Sequence, residues 1–131
     1  MKELKVLLID DEEEFTSALA ERLNLRGVRA DTSSSGEDAL KKIEADPPHV
    51  VLLDLLMPGL GGKELLGRIK AAHPGIAVIL LTGHGPPGAD EAACDPCDYL
   101  IKPVNIDELV WKIREKGKHR LRHWGIEGLR D

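Results

Sequence analysis

Aromatic side chains are scarce in this sequence of 131 residues, which contains one phenylalanine, one tyrosine and two tryptophans. Hydrophobic residues nevertheless make up 42% of the chain, so a core must be built mainly from leucine, isoleucine, valine and alanine. A chain of this length has room for one domain with a substantial core, but not for two.

An excess of basic charge is also absent. The chain carries 18 lysines and arginines against 23 aspartates and glutamates, which gives a formal net charge of −5. Phosphate backbones attract basic surfaces, so we do not expect this chain to bind nucleic acid directly.

Long hydrophobic runs and abundant cysteines are missing as well. No run approaches the roughly 20 apolar residues that a membrane-spanning helix needs. The N-terminal apolar run at 4–9 leads into an acidic cluster, which is not the pattern of a signal peptide. We therefore expect a cytoplasmic protein without membrane insertion, in which Cys94 and Cys97 are reduced.

Short apolar runs alternate with helical patterns along the chain. Strands are predicted at 4–9, around 29–32, and at 49–54, 76–82 and 98–101. Buried helix faces between and after them are marked by Phe15, Leu19 and Leu23, by Ala39, Leu40 and Ile43, by Leu65, Leu66 and Ile69, and by Ile106, Leu109, Val110 and Ile113. Ser35 is predicted to cap the second helix. Residues 83–98 contain three prolines and three glycines, so we expect only a short or irregular helix there.

Continuous apolar strands that alternate with amphipathic helices indicate an α/β fold with a parallel sheet covered on both faces. Right-handed crossovers leave few topologies for such a chain. The prediction is a flavodoxin-like, doubly wound, five-stranded sheet in the order 2-1-3-4-5.

Polar side chains stand where these predicted strands end. Asp10 and Asp11 follow the first strand, Asp54 ends the third, Thr82 ends the fourth and Lys102 follows the fifth. Ligands of open α/β sheets bind beyond the carboxyl ends of the strands, at the switch point of the topology. The five side chains are therefore predicted to share one rim of the sheet.

The chemistry of this rim follows from its charges. Crowded carboxylates repel one another, so a cation should lie among them, and oxygen ligands with open water positions suit Mg²⁺. One carboxylate is also suited to act as a nucleophile and to form an aspartyl phosphate. Thr82 would offer a hydroxyl donor, and Lys102 a positive charge, to the phosphoryl oxygens.

Four fragments in order, LLIDDEEEF, VVLLDLLMPGLGG, ILLTGHG and DYLIKPV, resemble the receiver domain of two-component response regulators, and in particular its single-domain, chemotaxis-regulator-like form. The resemblance runs from about residue 4 to residue 116. We therefore expect a receiver domain over residues 1–117 and a C-terminal tail or helix extension over residues 118–131.

The resemblance implies a role in phosphorelay signal transduction. Asp54 matches the phosphoacceptor, which takes its phosphoryl group from a histidine kinase or a histidine phosphotransfer protein. Asp11 matches the direct Mg²⁺ ligand and Asp10 its acidic neighbour, and the backbone carbonyl of Leu56 falls at a further ligand position. The domain would not be an enzyme acting on other molecules, because it would catalyse only its own phosphotransfer and dephosphorylation.

The resemblance also implies a conformational switch that controls an unknown downstream protein. Thr82 and Lys102 match the pair that follows the phosphoryl group, and Tyr99 matches the aromatic residue that turns inward on activation. The bond between Lys102 and Pro103 matches one that is usually cis in the family. Leu56 and His84 occupy the two positions that commonly tune the lifetime of the phosphoryl group.

Alternatives remain open on the sequence alone. An aspartyl phosphatase would typically place a second acid two residues after its nucleophile, where this chain has Leu56. A degenerate receiver would act as a phosphorylation-independent interaction scaffold.

Cys94 and Cys97 have C-x-x-C spacing, but a zinc site needs further ligands, so an incidental reduced pair is favoured. The basic tail is interpreted as a helix extension, or alternatively as a docking peptide anchored by Trp124 and Ile126.

Overall fold

The computed structural model describes residues 3–55, 62–83 and 98–129. The elements in chain order are β1 (Lys5–Ile9), α1 (Glu13–Leu25), β2 (Arg29–Ser33), α2 (Gly36–Ala45), β3 (Val50–Asp54), α3 (Gly62–Ala72), β4 (Ala77–Thr82), β5 (Asp98–Ile101) and α4 (Ile106–Leu129). The short helix predicted within 83–98 falls almost entirely outside the described residues.

The sheet confirms the predicted fold class and strand order. Its five strands are all parallel and lie in the order β2-β1-β3-β4-β5. The central strand β3 is buried at every residue, which is why its sequence is a continuous apolar run rather than an alternating one. Its carboxyl end therefore carries Asp54 directly out of the core.

Within the described ranges, two helices cover each face of the sheet. Strand side chains that point to one face of the sheet, such as Leu8, Leu52 and Ile79, pack against α1 and α4. Strand side chains that point to the other face, such as Leu53 and Leu80, pack against α2 and α3. The alternation follows from the period of two along each strand. The two cores hold the strand ends in register, and so hold the rim residues in place.

The ends of the first two helices follow local sequence signals. After α1, Gly27 adopts a left-handed conformation with φ of +85°, which glycine accepts without steric cost. The Ser35 side chain accepts a hydrogen bond from the Asp38 backbone N–H, which confirms Ser35 as the N-cap of α2. These two signals could be located from sequence because both are local.

The last helix, α4, is the longest element among the described residues. It runs without a break past residue 117, so the expected boundary between domain and tail lies within a continuous helix and stays a prediction. Gly117 faces Leu4 so closely that an added Cβ would lie 2.4 Å from Leu4 Cδ2. No helix in the described ranges is long and apolar enough to cross a membrane.

Candidate functional site

The rim beyond the carboxyl ends of the strands brings the predicted residues together. Asp54 ends β3, Thr82 ends β4, and Asp10 and Lys102 directly follow β1 and β5. The Lys102 backbone N–H donates to the Thr82 carbonyl at 2.8 Å, which extends the ladder between β4 and β5 to the position of the lysine. The register of the sheet thus places these side chains side by side.

Three carboxylates form a cluster on this rim. Asp10 and Asp54 are buried, with 1% and 6% of their surfaces exposed, whereas Asp11 is exposed. One oxygen of each residue lies within 4.8 Å of the others. The cluster therefore has two members shielded from water and one member open to it.

Asp10 is the most deeply placed of the three acids. Its Oδ1 accepts a hydrogen bond from the Glu12 backbone N–H at 3.0 Å. Its Oδ2 is 3.1 Å from Lys102 Nζ, so the two form an ion pair. Within the described part of the chain, however, no donor meets this buried oxygen with hydrogen-bonding geometry. A buried carboxylate oxygen that accepts no hydrogen bond is suited to bind a cation.

Lys102 lies among the acids and is only 24% exposed. Its Nζ is 2.7 Å from Glu12 Oε1 and 3.5 Å from Asp54 Oδ2. The same ammonium lies 5.1 Å from the centroid of the Phe15 ring, within the range of a cation–π contact. Sequence reasoning missed Glu12 and Phe15 as site residues, although both stand within the LLIDDEEEF fragment.

Burial and neighbouring charges shift the pKa values of both Asp10 and Lys102. Burial raises the pKa of Asp10 to about 6, and the Asp54 charge acts in the same direction, while the Glu12 N–H and Lys102 oppose the shift. Partial burial by itself would lower the pKa of Lys102. The hydrogen bond with Glu12 and the ion pair with Asp10 outweigh that effect, so the lysine pKa is raised and the ammonium stays charged.

The residues present fit a divalent cation that prefers oxygen. Asp10, Asp11 and Asp54 supply three carboxylates, and Asp10 Oδ2 is a buried acceptor that receives no hydrogen bond from the described residues. Hard oxygen donors with one side open to water match the preference of Mg²⁺. The expectation of a magnesium site is therefore compatible with the geometry.

The other predicted residues fall into two groups. Thr82 and Tyr99 are half-buried, and Tyr99 packs at the margin of the core beneath α2 and α3. The peptide bond between Lys102 and Pro103 is cis, as expected. The predictions for Leu56, His84, Cys94 and Cys97 concern residues outside the described ranges, and the anchor roles of Trp124 and Ile126 stay predictions.

Comparison with known proteins gives a consistent result. The sequence profile of the response regulator receiver domain matches residues 6–114. The chain is 36% identical over 117 residues to the C4-dicarboxylate transport transcriptional regulatory protein DctD of Rhizobium meliloti, covering 88% of this chain and 25% of DctD. It is 32% identical over 113 residues to the transcriptional regulatory protein TcrA of Mycobacterium tuberculosis, covering 85% of this chain and 45% of TcrA. The chain thus spans less than half the length of these relatives.

Solved structures show the same fold. A CheY-like receiver domain protein from Methanospirillum hungatei JF-1 superposes with a TM-score of 0.83 at 26% identity, covering 93% of this chain and 99% of that one. The receiver domain of NtrX from Brucella abortus superposes with a TM-score of 0.78 at 28% identity, covering 86% and 98% respectively. Together with the match over residues 6–114, these likenesses show that the chain belongs to the response regulator receiver domain family.

Proposed function

We propose that this receiver accepts a phosphoryl group on Asp54 from a phosphohistidine of a histidine kinase or a histidine phosphotransfer protein, in a reaction that depends on Mg²⁺. The observation that carries the proposal is the buried Asp54 carboxylate, which lies 3.5 Å from the Lys102 ammonium and beside two further acids. Receiver domains are signalling domains, which agrees with a transfer to the chain itself rather than to a substrate.

The transfer forms one bond and breaks one. An oxygen of Asp54 attacks phosphorus while the bond between phosphorus and the imidazole nitrogen breaks, and the nitrogen leaves with the electron pair. Such transfers depend mainly on positioning and on neutralising charge at the phosphoryl oxygens. Lys102 supplies a cation next to Asp54, and Thr82 offers a hydroxyl donor from the neighbouring strand.

Asp10, Asp11 and Asp54 would hold the Mg²⁺, with the backbone carbonyl of Leu56 as the further ligand that the family implies. When bound, the ion would neutralise phosphoryl oxygens and relieve the repulsion among the carboxylates. The support for this assignment is the buried Oδ2 of Asp10, which accepts no hydrogen bond from the described residues.

The output of the reaction is a change in the balance between two conformations. A phosphoryl group on Asp54 would favour the conformation in which Thr82 and Lys102 engage it and Tyr99 turns inward. In the described conformation Tyr99 is half-buried beside the core, so it has a packed starting position from which to move. The downstream partner would be a protein, and direct binding of nucleic acid is not part of the proposal.

The decisive measurement is the intact mass after incubation with acetyl phosphate and Mg²⁺. We expect wild type to gain one phosphoryl group and Asp54→Asn to gain none, because the amide oxygen is a poor nucleophile. Asp46→Asn serves as the matched control, since Asp46 is exposed at the end of α2, and it should be phosphorylated like wild type.

No gain in any variant, together with no binding of beryllofluoride, would favour the alternative of a phosphorylation-independent interaction scaffold. Beryllofluoride is included because small phosphodonors react poorly with some receivers. A gain in Asp54→Asn as large as in wild type would show that another residue accepts the group.

Leu56 and His84 are proposed to set the lifetime of the phosphoryl group. An apolar side chain two residues after the acceptor would hinder the attacking water. We therefore expect Leu56→Asn to shorten the lifetime of the phosphorylated protein, measured as loss of the added mass after removal of the phosphodonor. An unchanged lifetime would contradict the role of Leu56.

A further inference from the structure

Among the acids that the structure describes around the Lys102 ammonium, Glu12 is the nearest. Glu12 Oε1 lies 2.7 Å from Lys102 Nζ, closer than Asp10 Oδ2 at 3.1 Å and Asp54 Oδ2 at 3.5 Å. Lys102 thus contacts both Asp54, the expected phosphoacceptor, and Glu12, a residue to which the family resemblance assigns no role. A shared cation means that any new anion beside Asp54 must compete with Glu12.

The backbone holds Glu12 at the edge of this site. Its N–H donates to Asp10 Oδ1 at 3.0 Å, and its C=O accepts from the N–H of Thr16 at 3.1 Å in the first turn of α1. Thr16 is itself buried, which anchors that turn to the core. The Glu12 carboxylate is therefore presented to the rim from a fixed position rather than from a loose loop.

A second contact holds Lys102 from the same side. The Phe15 ring belongs to the first turn of α1, and its centroid lies 5.1 Å from Nζ. Both the Glu12 carboxylate and this aromatic ring attract a cation. The start of α1 thus attracts the ammonium at two points, in addition to its contacts with Asp10 and Asp54.

We propose that Glu12 is a positioning residue that holds the Lys102 ammonium on the α1 side of the rim and competes for it with a phosphoryl group on Asp54. The inference rests on the function proposed above. The Glu12 carboxylate occupies one of the three N–H donors of the ammonium, so a phosphoryl group on Asp54 must share Lys102 with it. The Glu12–Lys102 pair therefore favours the unphosphorylated conformation. Removing the Glu12 charge frees Lys102 for the phosphoryl group.

The test is the affinity for beryllofluoride, a phosphoryl analogue, measured by titration calorimetry at saturating Mg²⁺. Glu12→Gln keeps the length of the side chain and removes its charge. We expect about two- to fivefold tighter binding, the range for loss of one partly exposed competing ion pair. The gain should shrink at high salt, because salt screens the Glu12 carboxylate, which is 62% exposed.

Glu14→Gln is the matched control, because Glu14 is exposed in the same acidic first turn and its substitution removes the same charge. Its affinity should equal that of wild type. Unchanged or weaker binding in Glu12→Gln, or equal gains in both variants, would overturn the inference while the proposed function stands. If wild type itself binds no beryllofluoride, the proposed function fails, and the inference falls with it. Urea unfolding of each variant shows that the comparison is between folded proteins.

Discussion

At the scale of single residues, the charge of Lys102 should have opposite effects on two ligands of the rim. Its ammonium lies 3.1 Å from Asp10 and 3.5 Å from Asp54, where it offsets part of the carboxylate charge. A divalent cation at the same acids would be repelled by it, whereas a phosphoryl group would be attracted. The two ligands should therefore respond in opposite directions when the lysine charge is removed.

Lys102→Met tests this prediction, because methionine is an unbranched and uncharged replacement. We expect the affinity for Mg²⁺ to rise about tenfold, because a cation is removed from among the ligands. The affinity for beryllofluoride should fall about tenfold, since a charge-assisted contact is lost. Both constants are measured by titration calorimetry.

Lys41→Met removes the same charge from the exposed face of α2 and should change neither constant by more than about twofold. A fall in both affinities of Lys102→Met would indicate a damaged site rather than a removed charge. Opposite changes would separate the electrostatic role of Lys102 from a role in folding.

At the scale of elements, side chains form hydrogen bonds with backbone groups on the outer edge of β2, the edge strand of the sheet. Asn24 of α1 donates to the Ala20 carbonyl at 2.9 Å and accepts from the Ala30 N–H at 3.1 Å. At Thr32 the carbonyl accepts from Lys42 Nζ and the N–H donates to Asp31 Oδ1. Backbone groups on an exposed edge are sites for unwanted strand pairing, and these contacts occupy them.

Asn24→Ala should lower the free energy of unfolding by about 1–2 kcal/mol, because it removes hydrogen bonds at the end of α1 and at the edge of β2. Urea unfolding measures the loss. Glu21→Ala, on an exposed position of the same helix, is the control and should change stability by less than about 0.5 kcal/mol. Alanine favours a helix more than either native residue, so equal losses in both variants would show that the contact of Asn24 with β2 is not the cause.

At the scale of the whole molecule, a ligand that binds the folded chain must stabilise it. The acidic cluster joins the ends of β1 and β3 and exists only in the folded protein. We expect Mg²⁺ to raise the free energy of unfolding by about 2.7 kcal/mol when its free concentration is about 100 times the dissociation constant. Urea unfolding with and without magnesium chloride, at constant ionic strength, measures the effect.

Asp11→Asn is the informative variant for this prediction, because Asp11 is exposed and its replacement leaves the core intact. Its stability should respond much less to Mg²⁺ than that of wild type. The same stabilisation in both proteins would mean that Mg²⁺ acts elsewhere on the chain.

The amino-acid sequence by itself determined the strand and helix pattern, the strand order and the set of acids on the rim. Continuous apolar runs and helical spacing are local signals, and the carboxyl ends of parallel strands meet at one edge by geometry alone. This is why Asp10, Asp54 and Lys102 could be placed together before any contact between them was known.

Only the tertiary structure decided how those residues are partnered. Lys102 lies 90 positions from Glu12 in sequence, and the register of five strands determines that their side chains meet. The burial of Asp10, the ion pair of its Oδ2 with Lys102 and the contact of Asn24 with β2 depend likewise on packing between elements. Periodicity predicts which face of an element is buried, but the partner of a polar side chain is decided by distances that exist only in the folded chain.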